Sequence, residues 1–191
     1  MTKTKMPADV IYLDFSKAFD KVDHTIVLCK MKKLGITGKI FHWLKSFLTE
    51  RKQTVVVNGV KSKPQNVISG VPQGSVLGPL IFLILIGDID KDVLHSIVKS
   101  FADDTRATKL VKTIEDVIRL QEDLQRNYKW THDNNMKLNS VNFELLWYGK
   151  KKLIKDQTNY TSPSGEIINS NNVVKDLGVL ISNDCTLKEK I

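Results

Sequence analysis

The spacing of apolar residues predicts a chain of short strands and amphipathic helices. Val10–Leu13 is a β-rich apolar run that ends at Asp14, which is typical of a buried strand. The Asn58-Gly59 pair lies between two short apolar runs and predicts a tight hairpin turn. Apolar positions at helical spacing predict helices over residues 17–34, 38–48 and 113–134, and a nearly continuous apolar stretch predicts another over residues 79–89.

Further strands are predicted on both sides of Asp103-Asp104, and again within residues 136–148 and 167–181. Hairpins therefore interrupt the alternation of strands and helices. This order favours an α+β fold in which an antiparallel sheet has helices packed on one face. The length of 191 residues suits one domain with a substantial core.

The charge balance changes the picture of possible partners. Lysine and arginine outnumber aspartate and glutamate by 29 to 21, which gives a formal net charge of +8. Such an excess is typical of proteins that bind a polyanion, and equally of a lysine-rich surface that faces solvent. The lysines within residues 30–33 and 150–152 are the candidates for phosphate contacts.

Cysteine usage and apolar runs exclude several classes. Cys29 and Cys185 are the only cysteines, so a zinc finger and a disulfide framework are both excluded. The first seven residues lack the apolar segment of a secretory signal, and the longest apolar run, residues 80–86, is too short to span a bilayer. We therefore expect an intracellular protein of the cytoplasm or nucleus with no membrane partner.

Three carboxylates are the clearest candidates for chemistry. Asp103 and Asp104 are adjacent in a predicted turn, where they repel each other unless a cation such as Mg²⁺ lies close. Asp14 also ends a predicted strand, and if the strands are neighbours the three carboxylates meet at one sheet edge. Such a cluster can bind two metal ions. Each residue has an ordinary alternative, because aspartate is common in turns and Asp14 could cap the next helix.

A glycine-rich loop precedes the apolar helix. Residues 70–75 read Gly-Val-Pro-Gln-Gly-Ser. Glycines let a backbone approach a ligand closely, and the amide of Gln73 offers both a donor and an acceptor. On its own, such a loop is most often a simple turn.

Together these strings resemble the palm motifs of reverse transcriptases. Residues 12–20 (YLDFSKAFD) resemble the first motif, residues 70–79 (GVPQGSVLGP) the second and residues 101–104 (FADD) the third, in the order of the family. Residues 19–24 (FDKVDH) are similar to the branch found in non-long-terminal-repeat retrotransposons. Residues 174–179 (VKDLGV) resemble the strand pair at the palm–thumb junction.

The resemblance implies an RNA-directed DNA polymerase. Its partners would be an RNA template, a DNA primer and deoxynucleoside triphosphates. It implies that Asp14, Asp103 and Asp104 are catalytic and bind two Mg²⁺ ions, with Mn²⁺ as an alternative. The backbone carbonyl of Phe15 would complete a metal shell.

The resemblance also implies a nucleotide site. Phe19 matches the steric gate that excludes a 2′-hydroxyl, although a core phenylalanine is the alternative. Gln73, with Gly74 beside it, matches the loop that contacts the incoming nucleotide. The family positions Asp20, Asp23 and His24 are interpreted as electrostatics at a helix start rather than as ligands.

The implied domain limits are an unstructured tail over residues 1–8, a palm over residues 9–150 and the palm–thumb junction over residues 151–191. We expect no counterpart in this sequence to the fingers, to most of the thumb or to the endonuclease of many relatives. A separate polypeptide that carries fingers and endonuclease is therefore a candidate partner.

One motif departs from the family. Residues 138–144 resemble the fourth palm motif, but Asn142 stands where the family usually has a lysine, a candidate general acid for the pyrophosphate leaving group. Asparagine cannot supply that proton, so weak or absent activity is expected of this chain alone. The alternative function is a non-catalytic, retrotransposon-derived remnant that binds nucleic acid.

Overall fold

The structure is a computed structural model that describes residues 6–149, 159–184 and 187–188, the last two by their backbone. Lys150–Lys152 and the first five residues of the predicted tail lie outside the described residues. The elements, in chain order, are β1 (Ala8–Leu13), α1 (His24–Lys33), α2 (Gly38–Leu48), β2 (Lys52–Gln53), β3 (Val56–Val57), β4 (Val60–Lys61), β5 (Gln65–Asn66), α3 (Leu77–Ile86), β6 (Ile97–Phe101), β7 (Asp104–Leu110), α4 (Ile114–Asp133), β8 (Glu144–Tyr148), β9 (Ser170–Asn171), β10 (Val173–Asp176), β11 (Val179–Ser182) and β12 (Leu187–Lys188).

These elements form two compact units. Unit 1 comprises residues 1–16, 88–133 and 138–191, and unit 2 comprises residues 17–87 and 134–137. Each unit has its own core, and each carries part of the chemistry that the sequence predicts.

Unit 1 is built on a five-stranded sheet in the order β6-β7-β1-β8-β9. β1 runs antiparallel to both β7 and β8, with Leu13 opposite Thr105. β6 and β7 form a hairpin whose two-residue turn is Ala102-Asp103. Within this sheet only β9 runs parallel to its neighbour. The α+β fold with a mainly antiparallel sheet is thus confirmed, and the central strand β1 is largely buried.

α4 packs against β7 in unit 1. A capping arrangement precedes the helix, since Asp116 N donates to Thr113 Oγ1 at 3.3 Å while the Asp116 carboxylate accepts from Thr113 N at 3.1 Å. Leu120 and Leu124 are buried, but Ile118 is exposed. Ile118 lies about 200° around the helix from Leu120, so its apolar side chain falls outside the stripe that contacts the sheet. Ile114 is also exposed, because it too lies outside the stripe that contacts the sheet.

The predicted helix over residues 17–34 is divided in two, which corrects the periodicity argument. A 3₁₀ helix spans Ala18–Lys21, and α1 begins only at His24. Asp23 is extended, and its carboxylate accepts hydrogen bonds from the backbone N–H groups of Thr25 and Ile26, at 2.8 and 3.0 Å. This N-cap starts a new helix and therefore overrides the continuous apolar spacing.

The end of α1 follows the prediction. Gly35 has φ 83°, its N–H donates to the carbonyl of Lys32, and Ile36 N donates to the carbonyl of Met31, both at 3.0 Å. This is the Schellman arrangement, in which a left-handed residue satisfies the last helical carbonyls. Glycine adopts that φ without strain.

The rest of unit 2 consists of two helices and small hairpins. α2 has the predicted limits and buries Phe41, Leu44 and Leu48, whereas Ile40 is exposed. α3 begins at Leu77, two residues before Pro79, and packs against α1. The β3–β4 hairpin turns at Asn58-Gly59, with φ values of 50° and 81°, as the type I′ signal predicts.

No helix in the described ranges is both long and apolar enough to cross a membrane.

Candidate active site and its glycine-rich loop

The pairing of β1 with β7 brings the predicted carboxylates to one end of the sheet in unit 1. Asp14 follows β1, Asp103 lies in the β6–β7 turn, and Asp104 is the first residue of β7. Partial burial raises the pKa of Asp104, and the negative charges of Asp103, Asp176 and Asp14 raise it further. The carboxylates are therefore close enough to repel one another.

Asp14 is held by the segment that follows α4. Its backbone carbonyl accepts a hydrogen bond from Asn139 N at 2.9 Å. Its carboxylate accepts from the side-chain amides of Asn142, at 2.8 Å, and of Asn139, at 3.2 Å. Asp14 therefore does not cap a helix, and its Oδ2 accepts hydrogen bonds from two side-chain amides. The next residue, Phe15, is buried and pairs with Leu138 in an isolated β-bridge.

A cavity of about 530 Å³ opens beside Asp14 and Asp104 within unit 1, and Asp103 is not among its lining residues. Asp14, Asp104 and Asn142 line one part of it, and the ion pair between Arg106 and Asp176 lines another. Lys99 and Lys175 add positive charge to the lining. The cavity thus combines acidic oxygens with cations, which is the arrangement that phosphate-bearing, metal-bound ligands need.

Sequence reasoning missed the Arg106–Asp176 pair. Arg106 lies two residues after Asp104 on β7, and side chains at that spacing share a face of a strand. Asp176 lies in the VKDLGV string of residues 174–179, which resembles the palm–thumb junction. That resemblance does not predict a partner for the Asp176 carboxylate. The position of Arg106 could be predicted from strand alternation alone, whereas its contact with Asp176, 70 residues away, could not.

The donor set fits a hard divalent cation by its chemistry. Carboxylate oxygens are what Mg²⁺ prefers, and a cation would relieve the repulsion that raises the pKa of Asp104. Across residues 6–149 and 159–184, no three His, Cys, Asp or Glu side chains form a group already arranged to hold one ion. Asp14 and Asp104 nevertheless line the same cavity.

In unit 2 the glycine-rich loop is fastened to the segment that follows Ser16. The backbone N–H groups of Gly70 and Val71 donate to the carbonyls of Val22 and Phe19, at 2.8 and 2.9 Å. The side-chain amide of Gln73 donates to the Asp20 carboxylate at 2.7 Å. Gln73 is otherwise exposed, so the loop presents this amide from a fixed position.

The carbonyl of Gly70 is the centre of this attachment. Nε2 of His24 and Nη2 of Arg51 both donate to it, each at 2.8 Å. Arg51 was not singled out in the sequence, since no local pattern connects it with a loop 19 residues away. His24 and Asp20 contact the loop, so helix-start electrostatics does not describe them fully.

Asp23 does act at the helix start, as predicted. Partial burial opposes its ionisation, but hydrogen bonds from Ile26, Asn135 and Thr25 lower its pKa. This carboxylate therefore stays charged at the N-terminus of α1, where negative charge is stabilising.

The two loop glycines have different roles. A Cβ at Gly70 would lie 2.9 Å from the Cα and carbonyl oxygen of Asp20, so the close approach itself requires glycine. Gly74 has φ 78° but no neighbour within 4 Å, so only the backbone conformation requires it.

Phe19 is half-buried, and the centroid of its ring lies 4.6 Å from that of Phe82.

An antiparallel sheet with carboxylates at one end, in a chain that also carries a fastened glycine-rich loop before an apolar helix, defines a polymerase palm. The structure has a TM-score of 0.67 to an apo telomerase from Candida tropicalis truncated from its C-terminal domain, with 12% identity over 99% of this chain and 36% of that one. The model of the family described as reverse transcriptase (RNA-dependent DNA polymerase) matches residues 1–155. The chain belongs to this family.

Relatives of known sequence confirm the resemblance to the retrotransposon branch. The chain is 30% identical to the RNA-directed DNA polymerase from mobile element jockey of Drosophila melanogaster, over 94% of this chain and 20% of that protein. It is 29% identical to the probable RNA-directed DNA polymerase from transposon X-element of the same organism, over 95% of this chain and 20% of that protein. The chain thus spans about a fifth of these relatives.

Proposed function

We propose that this chain carries the nucleotidyl-transfer site of an RNA-directed DNA polymerase, with Asp14, Asp103 and Asp104 as its catalytic carboxylates. The observation that supports the proposal is the β1–β7 pairing in a member of this family: Leu13, which precedes Asp14, lies opposite Thr105, which follows Asp104. Residues 9–150 are proposed as the palm and residues 151–191 as its junction with a thumb. The proposed partners are an RNA template, a DNA primer and deoxynucleoside triphosphates, inside the cell where these occur.

The three carboxylates and the carbonyl of Phe15 are the groups that would hold two Mg²⁺ ions. When bound, the ions activate the attacking primer hydroxyl and stabilise the leaving phosphate oxygen. Arg106 neutralises the neighbouring Asp176, which limits the negative charge that the site must otherwise accommodate. Most of the rate in such chemistry comes from positioning, which the sheet and its hairpin turn supply.

The loop residues Gln73 and Gly74 are proposed to contact the incoming nucleotide, and Phe19 is proposed to exclude a 2′-hydroxyl. Asp20 orients the Gln73 amide, leaving its carbonyl oxygen available as an acceptor. Packing of one side of the Phe19 ring on Phe82 fixes its place, as a steric gate requires.

One observation favours the alternative, a non-catalytic nucleic-acid-binding protein. Asn142 cannot act as a general acid, and its amide already binds the Asp14 carboxylate at 2.8 Å. A lysine at this position would supply a proton and a positive charge. General acid catalysis is worth about 10²-fold or more, so the chemical step is expected to be slow.

The test is primer extension on an RNA template with Mg²⁺, using the 191-residue chain and its Asp103→Asn variant. We expect slow incorporation by the unaltered chain and none by the variant. Equal incorporation by both proteins would refute the carboxylate assignment. No incorporation by either, with nucleic-acid binding intact, would establish the alternative function.

A further inference from the structure

The positive charge of the chain is concentrated in one stretch. From His24 to Gly87 there are nine lysines and arginines but a single carboxylate, that of Glu50. Within α1, α2 and their connection, residues 24–49, there are five lysines and no carboxylate at all. Asp23 and Glu50 flank these 26 residues, so the stretch keeps an excess of positive charge, which is the electrostatic footprint of a polyanion-binding site.

The same stretch exposes an aromatic face. α2 buries Phe41, Leu44 and Leu48, yet Ile40 and Trp43 on its other side are 66% and 58% exposed. The Trp43 ring stacks on that of Phe47, with centroids 6.1 Å apart and planes 28° apart. Ile40, Trp43 and Phe47 follow helical spacing, and exposed Lys39 lies beside them; these four residues are called the α2 outer face.

An amphipathic helix that packs on one side normally presents polar residues on the other. The α2 outer face breaks that rule with a large, flat and rigid indole. Phe47 is half-buried and supports the indole from the side of the next helical turn, so the ring does not need to be ordered when a ligand binds.

We propose that the α2 outer face binds single-stranded nucleic acid by stacking a base on Trp43, with Lys39 and neighbouring lysines contacting the phosphates. Proteins that bind single strands combine a basic surface with exposed aromatic rings, and unpaired bases have free faces for stacking. A protein partner fits less well, because lysine is depleted at the centre of protein–protein interfaces. A second copy of this chain would bring an equally basic surface against the first.

The α2 outer face consists of unit 2 residues, whereas the proposed catalytic carboxylates belong to unit 1. It needs no metal ion, no nucleotide and no catalysis. The inference can therefore fail while the proposed function stands, and the proposed function can fail while this inference stands.

The experiment measures binding of the full 191-residue chain to fluorescein-labelled oligouridine of about 15 nucleotides, in EDTA and at low salt. A matched oligomer of the same length with abasic sugars keeps the phosphates and removes the bases. We expect Trp43→Ala to weaken oligouridine binding by about tenfold, the scale of one lost base–aromatic stack, and to leave abasic binding unchanged. Trp43→Phe should restore most of the affinity.

Two further variants separate stacking from charge. Lys39→Gln should weaken binding to both oligomers alike and lower the salt slope by about one. Lys91→Gln, at an exposed lysine of unit 1, and Leu94→Ala, at a leucine that is 68% exposed, are the controls and should change nothing.

Tryptophan fluorescence gives a readout that does not depend on Trp43→Ala folding correctly. Trp43 is the most exposed tryptophan, since Trp130 is buried and Trp147 half-buried, so oligouridine should quench the unaltered chain and not Trp43→Phe. Equal quenching of both proteins, or equal losses on both oligomers, would overturn the proposal. So would a Trp43→Ala variant that binds normally but dissociates a self-associated form, since that result would assign the face to a second copy.

Discussion

Residues 17–87 and 134–137, which form unit 2, contain 12 lysines and arginines against three carboxylates, a formal charge of +9. The remainder of the chain contains 17 against 18, a formal charge of −1. The overall value of +8 therefore combines a near-neutral unit, which carries Asp14, Asp103 and Asp104, with a strongly basic unit. The comparison shows that one chain can carry carboxylates suited to binding cations in one unit and an excess of basic side chains suited to binding phosphates in the other.

The two units hold their loops with different kinds of hydrogen-bond acceptor. In unit 1 the fully buried carboxylate of Asp123 accepts hydrogen bonds from the backbone N–H groups of residues 94–96 and forms an ion pair with Arg126 at 2.8 Å. In unit 2 the neutral carbonyl of Gly70 accepts from two side chains, His24 and Arg51. A buried charge has to be fully paired, whereas a carbonyl tolerates the loss of one partner.

The largest effect is expected from Asp123→Ala. The change leaves the residue 94–96 N–H groups and the Arg126 guanidinium without their acceptor. Breaking a buried ion pair typically lowers the free energy of unfolding by about 3–5 kcal/mol. Chemical denaturation measures it, with Asp133→Ala at an exposed carboxylate of the same helix as control. A loss no greater than that of the control would show that the loop does not depend on this carboxylate.

A pair of glycine variants tests the attachment in unit 2. Gly70→Ala should lower the free energy of unfolding by about 3 kcal/mol, because it combines a left-handed φ with a collision against Asp20. Gly74→Ala has a similar φ but free space, so it should cost only about 1 kcal/mol. Thermal or chemical unfolding of both variants gives the difference, which isolates the close approach. Equal losses would mean that the loop can move away from the segment beneath it.

The pH dependence of stability tests whether the loop of unit 1 is held by a charged carboxylate. Burial opposes ionisation of Asp123, but hydrogen bonds from Leu94, Ser96 and His95 lower its pKa below the ordinary value. A lowered pKa means that this group stabilises the fold fully above its unfolded pKa of about 3.9, and that the contribution is lost as the pH falls through the folded pKa. The stability gap between the unaltered chain and Asp123→Asn should therefore be constant near neutral pH and shrink below about pH 4. A gap that widens on acidification would contradict this assignment.

The smallest effect concerns the acidic end of the sheet. Burial, and then the neighbouring negative charges, raise the pKa of Asp104. Millimolar Mg²⁺ should raise the melting temperature modestly, because a bound cation offsets the repulsion between these carboxylates. Asp104→Asn should melt slightly higher than the unaltered chain without Mg²⁺ and respond less to the ion. The control is Asp133→Asn, which removes an exposed carboxylate. An unaltered chain that is insensitive to Mg²⁺ would indicate that these carboxylates do not form a metal site.

Features set by neighbouring residues could be predicted from the sequence. The Asn58-Gly59 turn, the Gly35 cap, the limits of α2 and the β6–β7 hairpin all follow from local conformational preference. The palm motifs lie in three such local strings, so the family was recognisable before the fold was known. The approximate grouping of Asp14 with Asp103 and Asp104 needed one further assumption, that their strands are neighbours.

Tertiary structure alone decided which distant residues meet. β1 takes its place between β7 and β8, Arg106 pairs with Asp176 across 70 residues, and Gln73 reaches Asp20 across 53. It also decided which apolar residues lack a partner, as with Ile118 and the Trp43 face of α2. Local preference fixes backbone conformation over a few residues, whereas these contacts depend on how whole elements pack. A periodic pattern identifies an apolar face but does not specify what, if anything, covers it.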